Sequence, residues 1–129
     1  MDISTMTARR PYLFRAMYDW ILDNELTPYI VVNTTIYGVL VPAEYVQNNQ
    51  IVLNIAPQSI GQYSINNEQL EFNARFGGNP HHIVVPMAAI EAIYARENGA
   101  GLGFEDEPAY QENRPQETKK NTSPFKVIK

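Results

Sequence analysis

Residues 69–87 read QLEFNARFGGNPHHIVVPM, and their alternation decides the fold class. Leu70, Phe72, Ala74 and Phe76 fall on one side; Glu71, Asn73 and Arg75 fall on the other. A period of two is the mark of a half-buried strand. GGNP closes the run and HHIVVPM continues it. Glycine beside a strand marks a bulge, a turn or a place where another chain lies close. The stretch NARFGG, 73–78, therefore has two readings. In one, Phe76 enters the core and the glycines make a plain hairpin. In the other, the strand edge receives an extended peptide, with Arg75 and Asn73 offering polar contacts.

Upstream, the same pattern recurs. YIVVNTT is rich in β-branched residues, a Tyr37–Gly38 turn precedes VLVP, and Asn48–Asn49 precede QIVLNIA, whose Ile51, Leu53 and Ile55 share a face. Pro57 and Gly61 interrupt, YSI follows, and NNE at 66–68 turns the chain into 69–76. Short strands with frequent turns predict a small barrel or sandwich. Two helices are expected beside them. The first runs from Pro11 to Asn24, where Pro11 suits the opening position and Pro28 blocks continuation. The second runs from Pro86 to Asn98 through MAAIEAIYAREN, with Ile90, Ile93 and Tyr94 buried and Gly99 as its stop. The expected fold is mainly β with two helices, a small β-barrel or roll behind an N-terminal helix.

That first helix carries two apolar stripes: Leu13, Met17, Trp20 and Ile21, and beside them Phe14, Tyr18 and Leu22. One core face needs only one. We assign the stripe Phe14, Tyr18, Leu22 to a twin subunit and expect a homodimer.

The 129 residues suit one domain with a real core. Absence of cysteine excludes disulfides and thiolate chemistry. No apolar run reaches the roughly 20 residues of a membrane helix, and MDISTMTARRPY lacks a secretory layout, so a cytoplasmic protein is expected. Residues 1–104 hold nine acidic and five basic side chains, and 105–129 hold five of each. An acidic body repels phosphate backbones, which makes nucleic acid a poor partner; a small RNA-binding barrel with exposed aromatics such as Tyr63 is the rival reading.

Catalytic chemistry finds no foothold. His81 and His82 are the only histidines, and as strand neighbours they face opposite ways, so no metal or cofactor is expected. GAGLG, 99–103, follows a predicted helix instead of opening one, which reads as a helix stop and exit and not as a phosphate loop. No nucleophile–base–orienter set stands out, and Glu68 with Glu71, or Glu105 to Glu107, reads as solvated surface. The chain is expected not to be an enzyme.

After Phe104 the sequence turns polar and is expected to be a loose tail, yet it carries FKVIK at 125–129. Too short to fold alone, this segment docks onto its own body, is an accident of sequence, or serves as a tethered hook for another protein.

RRPYLFRAMYDWILDNELTPYIVV, QIVLNIAP, FNARFGG, AIYARENGAG and the closing FKVIK, in that order, resemble the stringent starvation protein B family, adaptors of the ClpXP protease. The resemblance implies a dimer formed through the N-terminal helix and a groove that captures the ssrA tag of stalled polypeptides. It also implies a C-terminal peptide that binds the N-terminal domain of ClpX. Carried onto this chain, the groove comprises Asn73, Ala74, Arg75, Phe76 and Gly77, with Gly101, Leu102, Gly103 and Phe104 in its wall. The ClpX-docking peptide is Phe125, Lys126, Val127, Ile128 and Lys129. The implied organisation is a body at 1–104, a flexible linker at 105–122 and the docking peptide at 123–129. The linker is short and neutral where family tails are often longer and more acidic, and phenylalanine opens the hook where leucine is common.

Overall fold

The 69–87 stretch folds as a hairpin in the computed structural model, which describes residues 2–113. Gln69–Phe76 (β4) and Asn79–Pro86 (β5) pair antiparallel along their whole length, from Gln69 opposite Pro86 to Phe76 opposite Asn79. Gly77 and Gly78 form the two-residue turn, both at positive φ (59° and 84°), as a turn that follows the strand twist requires. Leu70, Phe72, Ile83 and Val85 are fully buried on the inner face. Gly61–Ile65 (β3) adds on the other side of β4, completing a three-stranded sheet.

A second, four-stranded sheet has the order β2-β1-β6-β7, from Pro28–Asn33 (β1), Gln50–Asn54 (β2), Ile90–Ala95 (β6) and Gly101–Gly103 (β7). Ile30, Val32, Ile51, Leu53, Ile90 and Ile93 face a core shared with the first sheet. Both sheets stay open, so the architecture is a roll and not a closed barrel. Among the described residues no helix is long and apolar enough to cross a membrane.

The expected second helix is a strand. Met87–Ala89 form a single 3-10 turn, and Ile90–Ala95 run as β6 between β1 and β7. A bulge explains the misreading. Val31 pairs with Ala92 while the next residue, Val32, pairs with Ile90, leaving Glu91 as the extra residue. The bulge stretches the inward spacing from two to three at one step, so Ile90, Ile93 and Ala95 are all buried by a strand whose period imitates a helix. Gly99 ends no helix: it sits at φ 75° in the β6–β7 turn and donates to the Ala95 carbonyl at 2.8 Å.

The remaining helix, Arg10–Asp23 (α1), buries Arg10, Pro11, Phe14 and Ile21 against the sheets. Phe14 and Ile21 are seven residues apart, within about 20° of each other around a helix. The core stripe therefore runs through Phe14, and Tyr18 continues it: its ring stacks on Tyr63 (5.5 Å) and its hydroxyl donates to the Ile55 carbonyl (3.0 Å). This corrects the stripe assigned to a twin subunit. Phe14 is wholly inside its own chain and Leu22 is half-buried, whereas Leu13 and Trp20 are 39% and 48% exposed. Ile21 belongs with Phe14, and the free stripe is Leu13–Trp20.

The chain also stays on the body past Phe104, where a loose linker was expected to begin. Glu107 is buried, and its carboxylate accepts the Arg9 and Arg10 N–H groups at 2.8 and 3.0 Å. Arg9, at the helix start, supplies no side-chain cap; Glu107 supplies one from 98 residues away. A 3-10 turn at Pro108–Asn113 follows.

Candidate functional site

β3 begins at Gly61, opposite Asn73, so Ala74, Arg75 and Phe76 have no strand partner on that side of β4. β2 is likewise an edge strand of its sheet. Between the two lies a cleft of about 330 Å³ whose lining includes Tyr29, Val52, Asn54, Phe72, Ala74 and Phe76, with Arg75 as its only charged residue. A neighbouring hollow of about 400 Å³ shares Ser59, Ala74 and Arg75 and extends along Gln58–Gly61. An unpaired strand edge beside a trough of mixed polar and apolar lining suits an extended peptide: backbone groups pair with the edge, and alternate side chains enter the trough.

Strand alternation divides the sequence-nominated residues 73–77 into different parts. Ala74 and Phe76 point inward. Phe76 is braced by Tyr45 (ring centroids 5.0 Å) and His81 (5.6 Å, edge-on). Arg75 sits on the rim, exposed, with one bond to the Gly78 carbonyl (3.0 Å) that leaves other guanidinium donors for a ligand. Asn73 is spent on its neighbours: its amide nitrogen donates to Gln62 Oε1 (2.8 Å), and its oxygen lies 3.0 Å from His82 Nδ1. His82 Nε2 lies 3.2 Å from Glu71 Oε1, completing an outward polar ladder across the sheet. His81 and His82 thus face opposite sides of β5, as strand geometry dictates. Gly77 is a turn residue; a Cβ there would lie 2.9 Å from Tyr45 Oη.

Gly101–Phe104 are elsewhere. β7 lies at the opposite edge of its sheet from β2, and Leu102, Gly103 and Phe104 line a separate hollow with Arg9 and Leu13. The structure does not bring them together with Ala74–Phe76. The glycine at 101 answers to a close approach by the chain itself, since a Cβ there would collide with the Ile93 carbonyl oxygen. Phe125–Lys129 lie outside the described residues. Sequence reasoning missed Tyr29, Tyr45, Val52 and Asn54; the available signal was Val52, an apolar residue in the outward register of QIVLN and 48% exposed.

The sequence pattern of the stringent starvation protein B family matches residues 8–126. A Haemophilus influenzae protein named stringent starvation protein B homolog is 47% identical over 121 residues, covering 93% of this chain and 81% of that protein. This chain belongs to the stringent starvation protein B family.

In this stringent starvation protein B fold the polar anchor of the helix is remote from the cleft. The Arg10 side chain donates to the carbonyls of Met87, Ala88 and Ile90 (3.0–3.2 Å) and of Glu105 (2.8 Å), and lies over the Tyr110 ring at 4.7 Å. Burial lowers the guanidinium pKa, and Tyr110, Glu107 and Asp106 oppose that shift. Burial likewise pushes the Tyr110 hydroxyl up to about 12. On the surface, Glu97 accepts the Thr27 hydroxyl (2.7 Å) and N–H (2.9 Å), which pulls its carboxyl down to about 2. Among the described residues no three acidic or histidine side chains gather to hold a metal ion.

Proposed function

We propose that this chain is a non-enzymatic adaptor that holds ssrA-tagged polypeptides and delivers them to the ClpXP protease. The observation that carries the reading is the unpaired β4 edge at Ala74–Phe76 facing the β2 edge across a trough lined by both apolar and polar groups, in a member of this family. The tag lies along that edge as an added strand, with Arg75 taking an acidic or carbonyl group. Phe125–Lys129 dock on the N-terminal domain of ClpX, and residues 114–122 are the tether. Two weak contacts on one molecule then act together, because the tether raises the local concentration of each partner into the millimolar range.

Two such subunits pair through the exposed Leu13–Trp20 stripe of α1. No bond is made or broken by this chain, and the partner supplies the ATP. The whole assembly works in the cytoplasm.

Fluorescence anisotropy with an ssrA-type peptide tests the cleft. Arg75→Ala is expected to weaken binding roughly tenfold or more, the worth of one charge-assisted hydrogen bond. Unchanged affinity removes Arg75 from the site. Removing 123–129 is expected to leave that affinity intact and abolish enhanced degradation by ClpXP; undiminished delivery defeats the tail's role.

A further inference from the structure

The largest hollow among those described lies at the far end of the β4–β5 hairpin from the tag cleft, about 24 Å of strand away. It measures about 630 Å³. Its walls are Pro11 and Tyr12 of α1, Tyr37 of the β1–β2 connection, Pro86 of β5, and Ala109 with Tyr110 of the last turn. Tyr37 is 88% exposed and Tyr12 51%. Tyr12 is oriented by Asn67, whose amide donates to its hydroxyl at 3.1 Å. Glu68 is the one charged residue in the lining.

We infer that this cleft is a docking site for the chain's own segment Phe125–Lys129. Three observations select that occupant. First, the described residues end at Asn113, three beyond Tyr110 in the cleft wall, and Phe125 follows Tyr110 by fifteen residues, a length of chain that can return to that cleft at modest closure cost. A ligand so tethered is present at an effective concentration in the millimolar range. Second, Phe125, Val127 and Ile128 match exposed tyrosine and proline faces, which bury apolar groups at little entropic cost. Third, charge chooses between the clefts. Lys126 and Lys129 complement Glu68 and a body whose residues 1–104 carry four more acidic than basic side chains. Arg75, the only charged residue of the tag cleft, repels them.

Docking of this kind is intramolecular and weak. A cleft that binds the free peptide near 1 mM holds the tethered one about half the time, so any partner of the hook meets an affinity lowered about twofold. That consequence rests on the proposed function; the docking itself does not.

The test is ¹H–¹⁵N NMR of the full chain against its Phe125→Ala/Val127→Ala/Ile128→Ala variant, with neither tag nor ClpX present. The expected result is shift differences at Tyr12, Tyr37 and Glu68, and their restoration when the peptide SPFKVIK is added to the variant at millimolar concentration. Tyr37→Ala in the otherwise native chain is expected to remove them. Superimposable spectra overturn the inference, as do differences centred on Ala74–Phe76. Differences that grow with protein concentration also overturn it, because they mean a hook seated on another copy. Absence of ClpX delivery by the native chain, with these shifts intact, refutes the adaptor reading alone.

Discussion

Replacing Glu107 should loosen the whole body, although it lies four residues beyond the last strand. Its carboxylate is buried and accepts two backbone N–H groups at the start of α1, at 2.8 and 3.0 Å. Hydrogen bonds to a charged group contribute about 1.5–3 kcal/mol each, and the pair is not additive. A negative charge at a helix N-terminus adds about 0.3–1 kcal/mol. The same carboxylate helps offset the charge of Arg10, which is 4% exposed. Glu107→Ala strips both acceptors, and about 3–4 kcal/mol is the expected loss. Glu107→Gln keeps one acceptor and loses the charge, for about 1–2 kcal/mol. A domain of this size moves by roughly 4 °C per kcal/mol, so Tm falls by about 12–16 °C for alanine and about 4–8 °C for glutamine. Thermal unfolding followed by circular dichroism gives both numbers. Equal small losses, under about 0.5 kcal/mol, would mean that residues 105–113 are not held on the body and that α1 is capped some other way.

Gly101→Val should detach β7, since the new Cβ meets the Ile93 carbonyl; a loss of at least about 2 kcal/mol is expected by urea unfolding. Trp20→Glu should give a folded monomer by light scattering, because Trp20 is on the exposed stripe, while Phe14→Glu should fail to fold. Stability should fall in acid through Glu97. Its carboxyl is held near 2 against an ordinary 4.5, so its contribution is complete above about pH 4.5 and is lost as pH drops toward 2. Glu97→Gln should flatten that part of the Tm-versus-pH curve.

The β4–β5 hairpin was legible because strict alternation and Gly77–Gly78 admit one local structure, and Phe14 to Tyr18 were legible as helix for the same kind of reason. Ile90–Ala95 were not. Ile90 and Ile93 are three apart, alanines favour helix, and the bulge at Glu91 that reconciles this spacing with a strand is a property of the pairing with β1. Which stripe of α1 is free turned on Ile21, whose angular position groups it with Phe14 and away from Trp20. Glu107 read as solvated because its partners, the N–H groups of Arg9 and Arg10, are 98 and 97 residues distant. At the cleft, β4 was nominated from its own pattern. Its facing wall, Val52 and Asn54, belongs to the other sheet, and no spacing within one segment reports on a neighbour across a gap. Gly101–Gly103 were nominated by resemblance, and their glycines serve the close pairing of β7 with β6. The rival reading, an RNA-binding barrel, gains nothing from the cleft, where Arg75 is the single cation.

In the proposed function an ssrA-type peptide adds to the β4 edge. Titrating that peptide into the ¹⁵N-labelled full chain tests it most directly. The expected result is saturable shift changes at Val52–Asn54 and Ala74–Phe76, with the Ala74–Phe76 amides gaining protection from exchange. Changes confined to Leu102–Phe104, or none at saturating peptide, would contradict it.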